Sequence, residues 1–216
     1  MKVPTLVTER LSIEPMTRAH WEDYAAAWAD PRMTAFIGGE PRSRNTSWMK
    51  MLQGIGMWSL FGYGYWAFVE RESGRFVGNG GLAQFERGIS DLEGFPEAGW
   101  AFTPDAWGKG YATETMTAIF GWADATNLGE IRCIIDRGNA ASHNVAAKLG
   151  FTKFAGEWKT TELEPGKILV EYSYALHADT AVLYPLNWLF AKTFWKIYMK
   201  RVLENIRAMA YQQEPY

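Results

Sequence analysis

Between residues 97 and 125 the hydrophobic period of the chain changes abruptly. Glu97 to Phe102 is a short apolar and aromatic run, Pro104-Asp105 breaks it, and Ala112, Met116, Ile119 and Phe120 then recur at the spacing of one helix face. The joint is Trp107-Gly108-Lys109-Gly110, so the segment reads as a buried strand, a tight glycine turn and a helix. The first turn of a helix carries unpaired N–H groups and the positive end of the macrodipole, and therefore attracts anions such as phosphate. Gly108 and Gly110 remove the Cβ atoms that would hold a phosphate off those groups, and Lys109 adds a positive charge. Two other phosphate loops fit worse. A Walker-type loop needs glycine where Thr103 stands, Tyr111 after Gly110 is no part of a Gly-Lys-Ser/Thr, and a dinucleotide fingerprint needs glycine at Thr113.

Trp-Gly-Lys-Gly-Tyr-Ala-Thr-Glu (residues 107–114) after a strand resembles the acyl-CoA pyrophosphate loop of the GNAT superfamily of N-acetyltransferases. The form is that of its Rim-type branch, which acetylates ribosomal-protein N-termini. A second match follows in the expected order: Asn139-Ala140-Ala141-Ser142 and then Lys148-Leu149-Gly150-Phe151 are similar to the branch's later helix. Thr8-Glu9-Arg10-Leu11 resembles its opening strand. The resemblance spans residues 6–177 and implies an α/β GNAT fold, a mixed splayed sheet flanked by helices.

It also implies roles. Trp107, Gly108, Lys109, Gly110, Tyr111, Ala112 and Thr113 would hold the pyrophosphate of acetyl-CoA, with Trp107 standing where the superfamily often has Gln or Arg. The backbone from Trp100 to Thr103 would hold the pantetheine arm, and Phe102 or Thr103 N–H would polarise the thioester carbonyl. Glu97 is the first candidate for the base, its alternative being a strand-end carboxylate in solvent. Ser142 matches the helix serine that hydrogen-bonds the departing thiolate or a water; otherwise it bonds backbone in a first helical turn. Asn139 is a helix cap and a candidate CoA contact. Glu114 has the plain role of favouring the helix dipole.

Elsewhere the sequence predicts a strand over 6–14, a helix after Thr17 ending before Asp30-Pro31, a helix over 43–53, and strands over 62–69 and 75–83. A loop follows over 87–95, then a buried strand over 131–135 holding Cys133 as core, a helix over 140–149 and a final hairpin turning at Glu164-Pro165-Gly166. In the family the first two helices border the acceptor cleft, which places Arg32, Phe36, Trp48 and Met51 near substrate choice. Gly-x-Gly-x-x-Ala in both middle strands is not followed by a helix and reads as twist or bulge. His20, His143 and His177 share no ligand spacing, so no metal is expected, and His143, beside Ser142, reads as a solvated helix position ahead of one near CoA.

Bulk charge is −2, which argues against a nucleic-acid partner, and one cysteine excludes an internal disulfide. Met1-Lys2-Val3-Pro4 leads into polar residues rather than a signal peptide, so a cytoplasmic protein is expected. The chain reads as an acetyltransferase domain over 1–177 and a helical extension over 178–216. In the extension Phe190, Phe194, Tyr198, Val202 and Ile206 form one row and Lys192, Lys196 and Lys200 another. Packing on its own domain or in a homodimer ranks above binding a membrane surface. The expected reaction is acetyl transfer from acetyl-CoA to a primary amine, with a peptide or protein N-terminus favoured. A small amine (amino acid, polyamine or aminoglycoside) is the alternative, and a CoA-binding module without turnover is a third reading.

Overall fold

The computed structural model describes residues 3–89, 92–151, 154–164 and 167–176, the last two stretches by backbone alone. The chain forms two compact units, Met1–Phe151 and Thr152–Tyr216. In the first, five strands lie in sequence order: β1 (Leu6–Val7), β2 (Leu11–Pro15), β3 (Tyr65–Glu70), β4 (Phe76–Ala83) and β5 (Glu97–Phe102). Each is antiparallel to the next. The strand expected over 6–14 is thus two strands, reversed at Thr8-Glu9-Arg10. The Thr8 N–H donates to Leu11 O at 2.9 Å to close the turn.

Among the described residues five α-helices accompany the sheet: α1 (Trp21–Ala29), α2 (Pro31–Thr34), α3 (Arg44–Phe61), α4 (Tyr111–Ala125) and α5 (Ala140–Lys148). Asp30 caps α2 by accepting from Arg32 N–H, and Ser43 caps α3 by accepting from Thr46 N–H, each short polar side chain satisfying a first-turn amide. The helix expected over 43–53 continues to Phe61. Gly54 and Gly56 do not stop it, because Met57 and Trp58 beyond them are buried; it ends at Gly62, whose φ of +81 is the left-handed stop glycine favours. Gly54 also has a packing reason: a Cβ there would lie 3.1 Å from Tyr65 Cβ, so glycine lets α3 approach β3.

Side chains alternate between the two faces of the sheet. One face carries Leu11, Ile13, Trp66, Phe68, Val77 and Phe102 against Met116 and Ile119 of α4. The other carries Ala67, Phe76 and Ala101 against Trp21, Tyr24 and Trp28 of α1 and Met51 of α3. Trp66 and Phe68 have no exposed surface, and burial on that scale contributes about 2–3 kcal/mol per side chain. The glycines of β4 set the distance to β5: a Cβ on Gly78 or Gly80 would collide with the carbonyl oxygens of Ala101 or Gly99.

The strand expected over 131–135 is a single parallel bridge between Arg132 and Glu97. Ala98 N–H donates to Arg132 O at 2.7 Å and Arg132 N–H to Pro96 O at 3.0 Å, and the ladder goes no further. Among the described residues this bridge is the parallel contact of β5, and beyond Ala98 no strand pairs with that edge. Cys133 is partly buried against the α4-side core. His143 is not a solvated position, since its Nε2 is buried with no hydrogen-bond partner among the described residues.

In the second unit β6 (Phe154–Glu164) and β7 (Lys167–Leu176) form the expected hairpin, with Phe154 opposite Leu176 and Glu164 opposite Lys167. The helical extension over 178–216, and with it the homodimer and membrane readings, lies outside the described residues.

Candidate active site

The direction of each β5 amide follows from its partners. Thr103 N–H donates to Val77 O at 2.9 Å, toward β4, whereas Ala98 N–H points the other way to Arg132 O. Peptide groups alternate along an antiparallel strand, so Trp100 and Phe102 turn theirs toward the splayed edge. Of the two N–H groups expected to polarise a thioester, Thr103 N–H is therefore engaged in the sheet and Phe102 N–H faces the opening. Trp107 is 51 % exposed, and its indole N–H donates to Phe102 O at 2.7 Å. It caps the last carbonyl of the edge, a role no local pattern announces.

At the end of β5, Gly108 and Gly110 hold φ values of +74 and +79. A Cβ on Gly108 would meet open space, and one on Gly110 would lie 3.6 Å from Arg10 Nη2. Backbone conformation, together with the open approach, is what demands glycine here. The first helical hydrogen bond of α4 is Glu114 N–H to Gly110 O at 3.1 Å, and no side chain caps this helix. The amides of Tyr111, Ala112 and Thr113 therefore point out of its N-terminus, in contrast to the capped α3 and α5. An uncapped N-terminus entered through two left-handed glycines fits a pyrophosphate.

Arg10 fixes this loop from across the molecule. Its Nη1 donates to Lys109 O at 2.8 Å and its Nε to Glu114 Oε2 at 2.7 Å, while Arg10 N–H and Thr8 Oγ1 donate to Glu114 Oε1 at 3.0 and 2.7 Å. Burial pushes the Glu114 carboxyl up, but the hydrogen bonds from Thr8 and Arg10 outweigh it and hold it below the usual carboxylate range. Glu114 thus ties the β1–β2 turn to α4, beyond the dipole role read from sequence. Lys109 Nζ lies 3.8 Å from Glu70 Oε1, which also accepts from Tyr111 OH at 2.7 Å, so its charge is shared with Glu70.

Glu97 is only 6 % exposed, which excludes the solvated strand-end reading. Arg87 grips both carboxylate oxygens, Nε to Oε2 at 2.8 Å and Nη2 to Oε1 at 3.0 Å. Arg87 comes from the loop before β5, where nothing in the sequence singled it out. The pair opens on a cleft of about 1420 Å³ on the α1/α3 face of the sheet, lined by Glu97, Gly99, Ala101 and Tyr65 and, from α5, by Asn139 and Ser142. Asn139 Oδ1 accepts from Ser142 N–H at 3.0 Å and so caps α5. Tyr65 packs its hydroxyl over Gly99, where a Cβ would collide with it. Burial, with the Glu97 charge beside it, holds that phenol protonated. The same two causes push the Cys133 thiol up to about 11.

Of the residues expected to border the acceptor, Phe36 lines the cleft. The others are engaged elsewhere: Arg32 pairs with Asp30, Trp48 packs edge-on against Trp21, and Met51 is buried in the core. In their place the cleft receives Tyr24, Trp28 and Arg42. Trp28 is fixed by its N–H to buried Asn79 Oδ1 at 3.0 Å, and Arg42 Cζ lies 3.5 Å from the Trp28 ring centroid. Among the described residues no group of three or more His, Cys, Asp or Glu is arranged for a metal, and no helix is long and apolar enough to cross a membrane.

An antiparallel sheet that splays at one strand, with a glycine turn feeding an uncapped helix at the end of that strand, defines the class of α/β acyl-CoA transferase folds. Residues 10–152 match the acetyltransferase (GNAT) domain family, and the chain belongs to it. The Bacillus licheniformis protein named Uncharacterized N-acetyltransferase p20 is 25 % identical over 174 residues, covering 80 % of this chain and 95 % of that protein. The crystal structure of an acetyltransferase from Agrobacterium tumefaciens str. C58 aligns with a TM-score of 0.63 at 27 % identity, covering 82 % of this chain and 96 % of the other. A ribosomal-protein-S5-alanine acetyltransferase from Vibrio fischeri aligns at 0.57 with 18 % identity over 73 % and 87 % of the two chains, a likeness of fold alone.

Proposed function

We propose that this chain transfers the acetyl group of acetyl-CoA to a primary amine, with the α-amino group of a peptide or protein N-terminus as the favoured acceptor. The observation that carries the reading is that Glu97 and Ser142 both line one cleft beside β5. The acceptor preference rests on the Rim-like motifs at residues 107–114 and 139–151.

Acetyl-CoA would supply the activated acyl group. The amides of Tyr111, Ala112 and Thr113 bind its pyrophosphate, the outward peptide groups of Trp100 and Phe102 bind the pantetheine arm, and Phe102 N–H draws charge from the carbonyl. Trp107 keeps Phe102 O occupied, so that end of the strand presents a donor rather than an acceptor. The acceptor enters from the α1/α3 side. As its nitrogen bonds to the acyl carbon and the carbon–sulfur bond breaks, the amine proton passes to Glu97 and the sulfur takes a hydrogen bond from Ser142 Oγ. Arg87 uses two of the roughly four lone-pair positions of Glu97, which leaves the carboxylate room to accept a proton, directly or through water. An α-amino group, with an ordinary pKa of about 8, needs less help from such a base than a lysine at about 10.4.

The test is thiol release from acetyl-CoA with separate panels of N-terminal peptides, amino acids, polyamines and aminoglycosides. Stimulation by peptides is the expected result, and stimulation by one small-amine panel alone replaces the acceptor class. No stimulation by any panel, with acetyl-CoA still bound, overturns turnover and leaves a CoA-binding module.

A further inference from the structure

Arg42 enters the cleft from the segment between α2 and α3, and among the described residues it is a cation without a carboxylate. Its guanidinium lies over the Trp28 ring, with Cζ 3.5 Å from the centroid, and it lines the cleft together with Tyr24 and Tyr65. Its own N–H donates to Trp28 O at 2.9 Å, and Trp28 is anchored in turn on buried Asn79. Platform and cation are therefore set in place before any ligand arrives. No Asp or Glu forms an ion pair with Arg42 among the described residues, although Arg87, Arg32 and Arg10 all have such partners at their own sites.

This is a costly arrangement without a ligand. Burial lowers the Arg42 pKa, since part of its hydration is replaced by the Trp28 face. A planar guanidinium held by stacking still presents edge N–H groups in the fork that matches a carboxylate. Lys50 also lines the cleft, but it is exposed and donates to Gln53 Oε1 at 3.1 Å, which makes it a hydrated charge at the rim. Tyr65 shares the lining of the cleft with Glu97 and Arg42, and both charges act on its phenol. An acceptor in this cleft has Glu97 to take up its amine and Arg42, on the same lining, to take up a negative group.

We propose that Arg42 is the acceptor carboxylate site: the cleft selects a primary amine that carries a carboxylate, and Arg42, stacked on Trp28, binds it. This deepens the transferase reading and rests on the cleft being the acceptor site. Two sources share the chemistry, the α-carboxylate of a free amino acid and the side chain of an acidic residue at a peptide N-terminus.

The test uses the full chain and matched acceptor pairs: free amino acids against their amides, and N-terminal peptides bearing glutamate against the same peptides bearing glutamine. The acid of at least one pair is expected to have a KM about 10- to 100-fold below its neutral partner, the range of a charge-assisted bidentate contact. Arg42→Gln should erase that preference and Arg42→Lys restore part of it, with the acetyl-CoA Kd reporting that each variant has folded. The pair set that responds separates amino acid from acidic peptide. Equal KM within every active pair, or an Arg42→Gln variant that slows acid and amide alike, overturns the assignment. Should no amine stimulate thiol release, the transferase reading fails by itself. Arg42 is then decided by calorimetry of N-acetylphenylalanine against N-acetylphenylalaninamide on the CoA-saturated protein. Acid-selective binding lost in Arg42→Gln upholds the site, and equal heats for acid and amide overturn it.

Discussion

Substituting Gly110 by Asp and, in parallel, by Asn separates the two reasons for glycine in the loop. Gly110 has a φ of +79, and a Cβ there would stand 3.6 Å from Arg10 Nη2, an ordinary contact. Both substitutions therefore carry a similar backbone cost, about 1 kcal/mol for a short polar side chain in the left-handed region. They differ by one negative charge at the mouth of α4. At about 5 Å from a phosphate oxygen and an effective dielectric constant of about 20, that charge costs about 3 kcal/mol, and physiological salt reduces it to about 2. Calorimetry at about 0.15 M salt should then show Gly110→Asp binding acetyl-CoA about 10- to 150-fold more weakly than Gly110→Asn, with a smaller ratio at about 1 M, where screening is nearly complete at this distance. Equal affinities for the two variants would refute a phosphate at the α4 N-terminus, whatever their stabilities.

Three further outcomes follow from the geometry. Gly99→Ala should destabilise the fold by about 2 kcal/mol through collision with the Tyr65 hydroxyl, and Tyr65→Phe in the same chain should recover most of the loss in thermal melts, whereas a double variant no better than Gly99→Ala would show that the clash lies elsewhere. With its thiol pushed from 9.0 to about 11, Cys133 should react with a thiol reagent at neutral pH about 100-fold more slowly in the folded chain than in the denatured one; because the folded value is the raised one, this group's contribution to stability is complete below about pH 9 and is lost as pH rises from 9 toward 11. Equal reactivity would contradict the burial. Glu97→Gln should lower kcat about 100-fold with little change in acetyl-CoA Kd, and an unchanged kcat would remove Glu97 as the base.

Much of this molecule is readable where the determinants are local. Gly108 and Gly110 mark the loop because a left-handed turn asks for glycine, and Ser43 and Asn139 mark helix starts because each caps an amide three residues on. The reading misses what distant residues decide. Helix α3 runs through two glycines because Met57 and Trp58 find a core beyond them, and the first strand breaks at Thr8-Glu9-Arg10, where Glu114 waits more than 100 positions away. Residues 131–135 have a strand's composition but only one bridging residue, since β5 pairs with them at Glu97 alone. In the cleft, Glu97 was a candidate from its place at the start of β5 and Ser142 from the Asn-x-x-Ser motif, and both line it. Arg87 and Arg42 were not legible, because a loop arginine takes its meaning from the carboxylate or indole it meets after folding.

The central claim is that the open edge of β5 and the N-terminus of α4 together form the CoA site. Amide hydrogen exchange with and without CoA, resolved to single residues, tests it most directly. New protection is expected at Tyr111, Ala112 and Thr113 and at the outward amides Trp100 and Phe102, with Thr103, already bonded to Val77 O, unchanged. Protection confined to other strands, or at the loop without any along β5, would contradict it.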